Sequence, residues 1–152
     1  MDISQCMKRQ VISIHHTATV GKAAALLVKH HIGLLPVIES SSKLIGVLGL
    51  SDLLSLSLPA FVRLIEDLDF VHDFGAVENA RPSPEALAQP VTALMRKAIS
   101  VTADSGLLRA YSLMYQHKLH DLPVVNADGT LVGIASRVDI GTVILAGWQS
   151  DE

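Results

Sequence analysis

The stretch His120–Asp139, HDLPVVNADGTLVGIASRVD, contains two strand-like apolar runs separated by a turn. Asp128-Gly129, between the two runs, is a strong signal for a tight β-hairpin. An earlier stretch, Gly33–Asp52, reads GLLPVIESSSKLIGVLGLSD and has the same rhythm, with SSSK as a looser turn. The chain of 152 residues therefore carries one hairpin pattern twice.

The repeat is longer than the hairpin. A shift of 87 positions places residues 11–53 on the later copy without a gap. It aligns Leu35-Pro36-Val37 with Leu122-Pro123-Val124, and it still aligns Asp52 with Asp139. Chance could align one triplet, but it would not keep the later residues in register. Because there are only two copies, the pattern indicates a duplicated unit and not a solenoid array.

Each copy predicts the element order β-α-β-β-α, and hence an α/β (α+β) fold. A short strand (VISI, AISV) comes first, followed by an amphipathic helix, the hairpin and a closing helix that starts at Asp52 or Asp139. Pro36 and Pro123 are expected near the beginning of their strands, where no central ladder bond is lost. The buried face of the first helix is predicted to contain Val20, Ala23, Ala24, Leu27 and Val28. One helix-covered sheet per copy predicts two halves that pack face to face.

The predicted boundaries are 1–56 for the first repeat, 57–90 for a spacer and 91–152 for the second repeat. The spacer is longer than most connections. Its segment LPAFVRLIEDLDF predicts a helix with an apolar stripe from Phe61 to Leu68, which either packs on its own core or contacts a partner. A short helical turn is expected after Ser83-Pro84. VTALM at 91–95 begins the second copy much as ISQCM at 3–7 begins the first.

Composition narrows the class of protein. Apolar residues make up 49% of the chain and the net charge is −3, which gives no reason to expect nucleic-acid binding or an anionic-membrane surface. No stretch approaches the length of a membrane span. Cys6 is the only cysteine, so an internal disulfide is impossible and a reducing, cytoplasmic location is expected.

These residues resemble a known family. Two β-α-β-β-α copies with LPVV, LVGI and a closing Ser-x-x-Asp are similar to a tandem pair of cystathionine β-synthase (CBS) domains, the Bateman module. The resemblance covers residues 11–55 and 91–145. Copy one departs from the family pattern, since Gly49 replaces the usual Ser or Thr before Asp52. The resemblance implies pseudo-two-fold packing, two clefts between the copies, a homodimer, and a regulatory module without catalysis.

Ser136 and Asp139 are the first candidate site residues. A carboxylate offers two acceptor oxygens that match the vicinal hydroxyls of a ribose, and the Ser136 hydroxyl with nearby free N–H groups could receive phosphate. Ser-x-x-Asp before an apolar segment is also close to a helix capping box. The resemblance favours the ribose interpretation, and the same atoms could serve as the cap.

The other candidates are His120, Arg137 and Asp52. The resemblance implies a phosphate contact at His120, although a solvent-exposed loop histidine is the alternative. Arg137 either reaches phosphate or contacts only water. Asp121, beside His120, would repel phosphate. Asp52 could hold ribose in the other cleft, but Gly49 and Gly33 supply no donor side chains there. We therefore expect unequal clefts, with the Asp139 cleft as the stronger one.

No metal or catalytic site is predicted. The pairs His15-His16 and His30-His31 lack companions at ligand spacing, and Cys6 has no visible base. The resulting hypothesis is a sensor of an adenosine-containing ligand, with AMP, ADP or ATP ahead of NAD and S-adenosylmethionine, that signals to an unidentified protein target. The alternative is a structural dimerisation adaptor with vestigial clefts.

Overall fold

The computed structural model describes residues 1–58 and 72–149, which form two three-stranded sheets and their helices. The strands are β1 Ile14–His15, β2 Leu34–Ile38, β3 Leu44–Gly49, β4 Val101–Thr102, β5 Asp121–Val125 and β6 Leu131–Ser136. In the first sheet β2 pairs in parallel with β1 and antiparallel with β3, and in the second sheet β5 pairs in the same way with β4 and β6. The predicted fold class and strand order are confirmed.

Helices follow the strands in the expected places. They are α1 Val20–His30, α2 Leu50–Leu54, α3 Pro84–Ala88, α4 Leu107–His117 and α5 Arg137–Ala146. The closing helices α2 and α5 begin at Leu50 and Arg137, so the expectation that they start at Asp52 and Asp139 was wrong. Both aspartates occupy the third helical position, from which a carboxylate can reach back to the residue before the helix.

Local sequence explains the ends of α1. The Thr19 side chain accepts a hydrogen bond from the N–H of Lys22, and His31 closes the helix in the left-handed conformation with a φ of 51°. Val20, Ala23 and Leu27 are buried as predicted, whereas Val28 is 81% exposed. Val28 lies beyond the edge of the buried stripe, because spacing alone does not fix how wide a face the sheet covers.

The two prolines are central in their strands and not near the beginning, as we had expected. Pro36 is opposite Val47, and Val47 exchanges both of its backbone hydrogen bonds with Arg96 on the far side. In an antiparallel pair, Pro36 must therefore direct its nitrogen away from β3. The ladder between β2 and β3 loses no bond, and both prolines are fully buried.

The two hairpin turns have the same geometry despite their different sequences. Ser42 and Gly129 are equivalent positions, and both have positive φ, at 63° and 87°. Glycine adopts this conformation without steric cost, whereas Ser42 does so as an ordinary L-residue. Asn126 N–H donates to the Thr130 carbonyl as Glu39 N–H donates to that of Lys43. SSSK is thus the same turn with a less favourable residue.

The cores of the two copies exchange their leading segments. Ile3 and Met7 are buried in the core of the second copy, and the N–H of Ile3 donates to the Ser105 carbonyl over 2.9 Å. Val91 is buried in the core of the first copy, and its N–H donates to the Ala18 carbonyl over 2.8 Å. Each sheet is therefore completed by residues that belong, along the chain, to the other repeat.

Reciprocal contacts express the pseudo-two-fold symmetry. Leu44 N–H donates to the Gly129 carbonyl over 3.1 Å, and the equivalent Leu131 N–H donates to that of Ser42 over 3.0 Å. Lys8 exchanges two backbone bonds with Ile134, as Arg96 does with Val47. These matched pairs fix how the two copies lie together.

Of the spacer, the structure describes residues 57–58 and 72–90. The helical turn predicted after Ser83-Pro84 is confirmed as α3, and Leu87 packs against the core of the first copy. The predicted helix from Pro59 through the Phe61–Leu68 stripe lies outside the described residues. Within 1–58 and 72–149, no helix has both the length and the apolar character needed to cross a membrane.

Candidate functional site

Two clefts lie between the copies, and each is lined from both. The first cleft has a volume of about 470 Å³ and the second of about 410 Å³. The first lies beside Gly49 and Leu50, at the start of α2, and opposite the end of α4. The second lies beside Lys8 and Ile134 and opposite the end of α1. The two clefts are related by the internal repeat.

Asp52 stands at the edge of the first cleft and is held from two sides. Its Oδ2 accepts the Gly49 N–H over 2.7 Å, which satisfies one of the free donors at the start of α2. The Nε of Arg96 lies 3.0 Å from Oδ2 and 2.9 Å from Oδ1. Arg96, and not Asp52, forms part of the cleft lining.

Asp139 occupies the equivalent place at the second cleft. The N–H of Ser136 donates to Asp139 Oδ2 over 2.9 Å, and the N–H of Asp139 donates to the Ser136 hydroxyl over 3.0 Å. This is a complete capping box, so the local interpretation of Ser-x-x-Asp is correct whatever else these atoms do. Lys8 Nζ is 3.8 Å from Asp139 Oδ2, a longer contact than that between Arg96 and Asp52.

Arg137 is held by the backbone of its own copy. Its Nε donates to the Leu119 carbonyl over 2.6 Å, and its N–H donates to the His120 carbonyl over 3.0 Å. The structure thus brings Arg137, Ser136 and Asp139 together with the backbone of His120. The predicted contact of Arg137 with phosphate stays a prediction.

The structure assigns His120 to a different cleft from the one expected. His120 lines the first cleft with Gly49 and Arg96. This is the cleft of Asp52, and not that of Asp139, which belongs to the same repeat as His120. The His120 carbonyl still accepts the N–H of Arg137 beside Asp139, and the sequence-based grouping of His120 with Asp139 in nucleotide binding stays a prediction. A residue between a helix and the next strand lies at the junction of the copies, where chain proximity does not decide which cleft it faces.

Charge is unevenly divided between the clefts. The first cleft is lined by Arg96, Lys97 and Lys118, with His117 and His120, against the carboxylate of Asp121. The second has Lys8, His30 and His31 against the same Asp121. With histidines neutral, the first lining carries two net positive charges and the second none. The basic residues of the lining are thus more numerous in the first cleft, whereas the sequence favoured the Asp139 cleft. Which cleft binds phosphate more strongly stays a prediction.

Asp121 is the one acidic residue that lines both clefts. Burial raises the pKa of its carboxyl, while the positive charges of His120 and Lys8 act in the opposite direction and Asp139 adds to the rise. An ionised carboxylate at this position opposes the approach of an anionic group to either cleft.

Arg96 and Lys8 were missed by the sequence analysis. The signal was available: the match of ISQCM with VTALM continues for one residue, to Lys8 and Arg96, with a basic residue in both copies. The sequence does not show that each basic residue contacts the aspartate of the other repeat, Lys8 that of the second and Arg96 that of the first.

A third cavity, of about 650 Å³, lies between α1, α2 and the end of the spacer. Its lining residues within 1–58 and 72–149 are mostly leucines and other apolar residues, and His31 is the one titratable side chain among them. These described residues do not supply the donors that a phosphorylated ligand requires.

The remaining polar groups do not form a site in the described ranges. Across residues 1–58 and 72–149, no three His, Cys, Asp or Glu side chains lie close enough together to hold a metal ion. The His15 and His16 rings are 4.5 Å apart, and His15 contacts Thr17 and Ser40. Burial, with the charges of Asp139 and Asp2, raises the pKa of the Cys6 thiol, which lowers its reactivity.

Comparison with known families decides the relationship. The CBS domain model matches residues 2–58 and again 91–145. The chain belongs to the CBS domain family. The two matches correspond to the two copies of the repeat, so the predicted tandem CBS pair is confirmed.

Individual CBS relatives cover nearly the whole chain. The CBS domain-containing protein CBSX1, chloroplastic, of Arabidopsis thaliana is 32% identical over 149 residues, which are 93% of this chain and 61% of the relative. The uncharacterized protein MJ1426 of Methanocaldococcus jannaschii is 29% identical and is matched over 89% of its length. The chain thus spans about three fifths of one relative and most of the other.

A solved CBS structure matches along its full length. The crystal structure of CBSX2 in complex with AMP superposes with a TM-score of 0.73 and 26% sequence identity, and the match covers 97% of this chain and 98% of that one. CBSX2 is a protein of Arabidopsis thaliana.

Proposed function

We propose that this CBS pair is a regulatory module that binds an adenosine nucleotide in the first cleft and carries no catalysis of its own. The observation that carries the proposal is the cationic lining of that cleft, Arg96, Lys97 and Lys118, which the second repeat contributes opposite residues of the first. The likeness to an AMP-bound CBS pair supports adenosine as the nucleoside. The candidate ligands are AMP, ADP and ATP, ahead of NAD and S-adenosylmethionine.

The proposed mechanism is a shift of population. A ligand that bridges the two copies favours one relative orientation, and a partner protein or a second copy of the chain responds to that orientation. The matched backbone bonds of Lys8 with Ile134 and of Arg96 with Val47 hold the copies together at the clefts. Small rotations there would reach both sheets. A homodimer and a reducing, cytoplasmic location belong to the same proposal.

A thermal-shift screen tests the function directly. Ligand that binds only the native state raises the melting temperature, by the equivalent of about 2.7 kcal/mol at one hundred times its Kd. We expect AMP, ADP or ATP to give the largest rise. The absence of any rise at millimolar concentration would reject the sensor function in favour of the structural adaptor.

Lys118→Asn gives the screen a cleft-specific variant. Lys118 has a φ of 55°, a conformation that asparagine tolerates, so the fold should survive the loss of charge. We expect nucleotide affinity to fall several-fold, whereas Lys29→Gln, an exposed change outside the clefts, should leave it unchanged.

The aspartates separate the two clefts. Asp52→Ala removes the proposed ribose acceptor from the first cleft and should weaken the tightest nucleotide by about 30- to 150-fold, corresponding to about 2–3 kcal/mol. Asp139→Ala should affect a weaker second event, and it should also cost about 1 kcal/mol of stability through the capping box. Calorimetry of both variants measures these effects. Loss of the tight event in Asp139→Ala alone would return the main site to the second cleft.

A further inference from the structure

The contact between Arg96 and Asp52 occupies the acceptor that a ribose would need. Arg96 Nε lies 2.9 and 3.0 Å from the two carboxylate oxygens of Asp52. Only 16% of the Asp52 side chain is exposed, whereas 52% of Arg96 is. A ligand that uses Asp52 therefore competes with the guanidinium for the exposed part of the carboxylate.

Gly49 makes room for this contact. A Cβ at residue 49 would lie 3.3 Å from both Arg96 Nη2 and Asp52 Oδ2, which is tight for any side chain. In the second copy the equivalent residue is Ser136, and its basic partner Lys8 stands further away, at 3.8 Å from Asp139. The departure from the Ser-x-x-Asp pattern at Gly49 thus accompanies a close ion pair between Arg96 and Asp52. The equivalent contact, between Lys8 and Asp139, is longer.

The backbone of Arg96 is fixed, so only its side chain needs to move. Its N–H and carbonyl both bond to Val47, over 2.8 and 2.9 Å. Within residues 1–58 and 72–149, the Nη groups of Arg96 have no hydrogen-bond acceptor, and an ion pair this exposed is weak. Asp52 would keep its bond from the Gly49 N–H after release, so the carboxylate stays oriented.

We propose that Arg96 is an exchangeable internal partner of Asp52: a ribose displaces it from the carboxylate, and the freed guanidinium then binds the phosphate of the same ligand. This inference rests on the proposed nucleotide function. A nucleoside displaces Arg96 and offers nothing in return, whereas a nucleotide supplies a new anionic partner in a cleft that also contains Lys97, Lys118, His117 and His120. Arg96 therefore makes the first cleft selective for phosphorylated adenosine ligands.

Calorimetry with adenosine and AMP tests the exchange. All samples carry Asp139→Asn, which removes the carboxylate that a ribose would use in the second cleft. Asparagine is chosen because its amide oxygen can still accept the Ser136 N–H and so keep the helix cap. In Arg96→Gln we expect AMP to bind about 10-fold more weakly, since a charge-assisted bond is lost. Adenosine should bind about two- to threefold more tightly, because Asp52 is no longer occupied by a competing ion pair.

Lys97→Gln is the matched control, since it removes the same charge from the same cleft without contacting Asp52. It should weaken AMP, because the cleft loses a positive charge, but it should not make adenosine bind more tightly, because Asp52 stays paired with Arg96. Arg96→Lys is a second variant for the case in which Arg96→Gln folds poorly. Because lysine keeps the positive charge, it should keep part of the AMP affinity. Melting temperatures of all variants check the fold.

The opposite response of the two ligands is the decisive result. If AMP binds the parent and Arg96→Gln weakens AMP and adenosine alike, or behaves as Lys97→Gln does, the exchange is rejected and the nucleotide function stands. If neither compound binds the parent at millimolar concentration, the proposed function fails and the exchange fails with it.

Discussion

Two glycines allow the crossing segments to approach the sheets. A Cβ at Gly46 would lie 2.9 Å from the Arg96 carbonyl oxygen and 2.8 Å from Met95 Sδ. A Cβ at the equivalent Gly133 would meet Met7 Sδ at 2.6 Å. A side chain at residue 46 would be too close to a backbone oxygen, and one at residue 133 would have to displace the Met7 sulfur and crowd the Lys8 carbonyl at 3.1 Å. Both strands therefore favour glycine where the other repeat's leading segment crosses.

Gly46→Ala should destabilise the protein by about 1–3 kcal/mol, because the clash is with backbone and cannot be relieved by a rotamer change. Gly141→Ala is the control. Residue 141 lies inside α5 and a Cβ there meets nothing within 4 Å, so alanine should stabilise by about 0.5–1 kcal/mol. Urea unfolding measures both changes. Equal stability of Gly46→Ala and the parent would show that the sheet and the crossing segment do not approach this closely.

Asp121 makes stability depend on pH in a direction that can be stated. Burial raises the pKa of its carboxyl above the ordinary value. The folded state therefore binds this proton more tightly than the unfolded state. The contribution to stability is fully present below the unfolded pKa, about 4, and is lost as the pH rises through the folded value.

Asp121→Asn removes this titration. We expect the variant to melt higher than the parent at pH 7, with a difference that shrinks as the pH falls through the raised pKa of Asp121 and is smallest below about 4. Removing the acid should also strengthen AMP binding, because Asp121 lines both clefts. Glu85→Gln, which removes an exposed carboxylate outside the clefts, is the control. A lower melting temperature of Asp121→Asn at neutral pH would show that the ionised carboxylate stabilises the fold.

At the scale of elements, the leading segments act as parts of the opposite core. The short 3-10 helix Ile3–Gln5 is capped by Asp2 and carries Ile3 into the second copy with no exposed surface. The 3-10 helix Val91–Ala93 does the same for the first copy through Val91. Neither copy has a complete core without the other repeat's segment.

Ile3→Ala should therefore cost about 2–5 kcal/mol of unfolding free energy, although residue 3 is close to the chain terminus. Val28→Ala is the control: Val28 is a helical residue, but it is 81% exposed, so its truncation should change stability by no more than about 0.5 kcal/mol. Denaturant unfolding of both variants compares them. A small effect at Ile3 would mean that the terminal segment is not part of the folded core.

At the scale of the whole molecule, the helices carry several large apolar side chains that remain exposed in a single copy of the chain. The exposed side chains include Leu108 at 70%, Val138 at 70% and Tyr115 at 76%. These residues lie on α4 and α5, and in the first copy Val28 on α1 and Leu54 on α2 are also exposed. A second copy of the chain is the partner that we propose for this surface.

Light scattering at tens of micromolar should give twice the chain mass of 16.3 kDa. Leu108→Glu should shift the protein toward the monomer, because a charge would have to be buried at the interface. Lys29→Gln, which alters an exposed side chain and removes none of the apolar residues named above, should leave the mass unchanged. A monomer mass for the parent would reject the dimer.

The sequence by itself determined the repeat and its elements. Hairpin turns, helix caps and apolar periodicity act over a few residues, so β-α-β-β-α could be predicted for each copy, together with the turn of helix at Ser83-Pro84. The capping role of Ser136 and Asp139 could be predicted for the same reason, because both partners lie within one helical turn.

The tertiary structure decided everything that depends on how the copies meet. The exchange of Ile3 and Val91, the assignment of His120 to the first cleft and the contact of Arg96 with Asp52 all join residues from different repeats. Local propensity contains no information about such contacts, because they form only when two complete surfaces pack together. The two half-sequences differ at residues that line the clefts, such as His31 against Lys118 and Gly33 against His120, and only their packing decides which cleft receives which side chains.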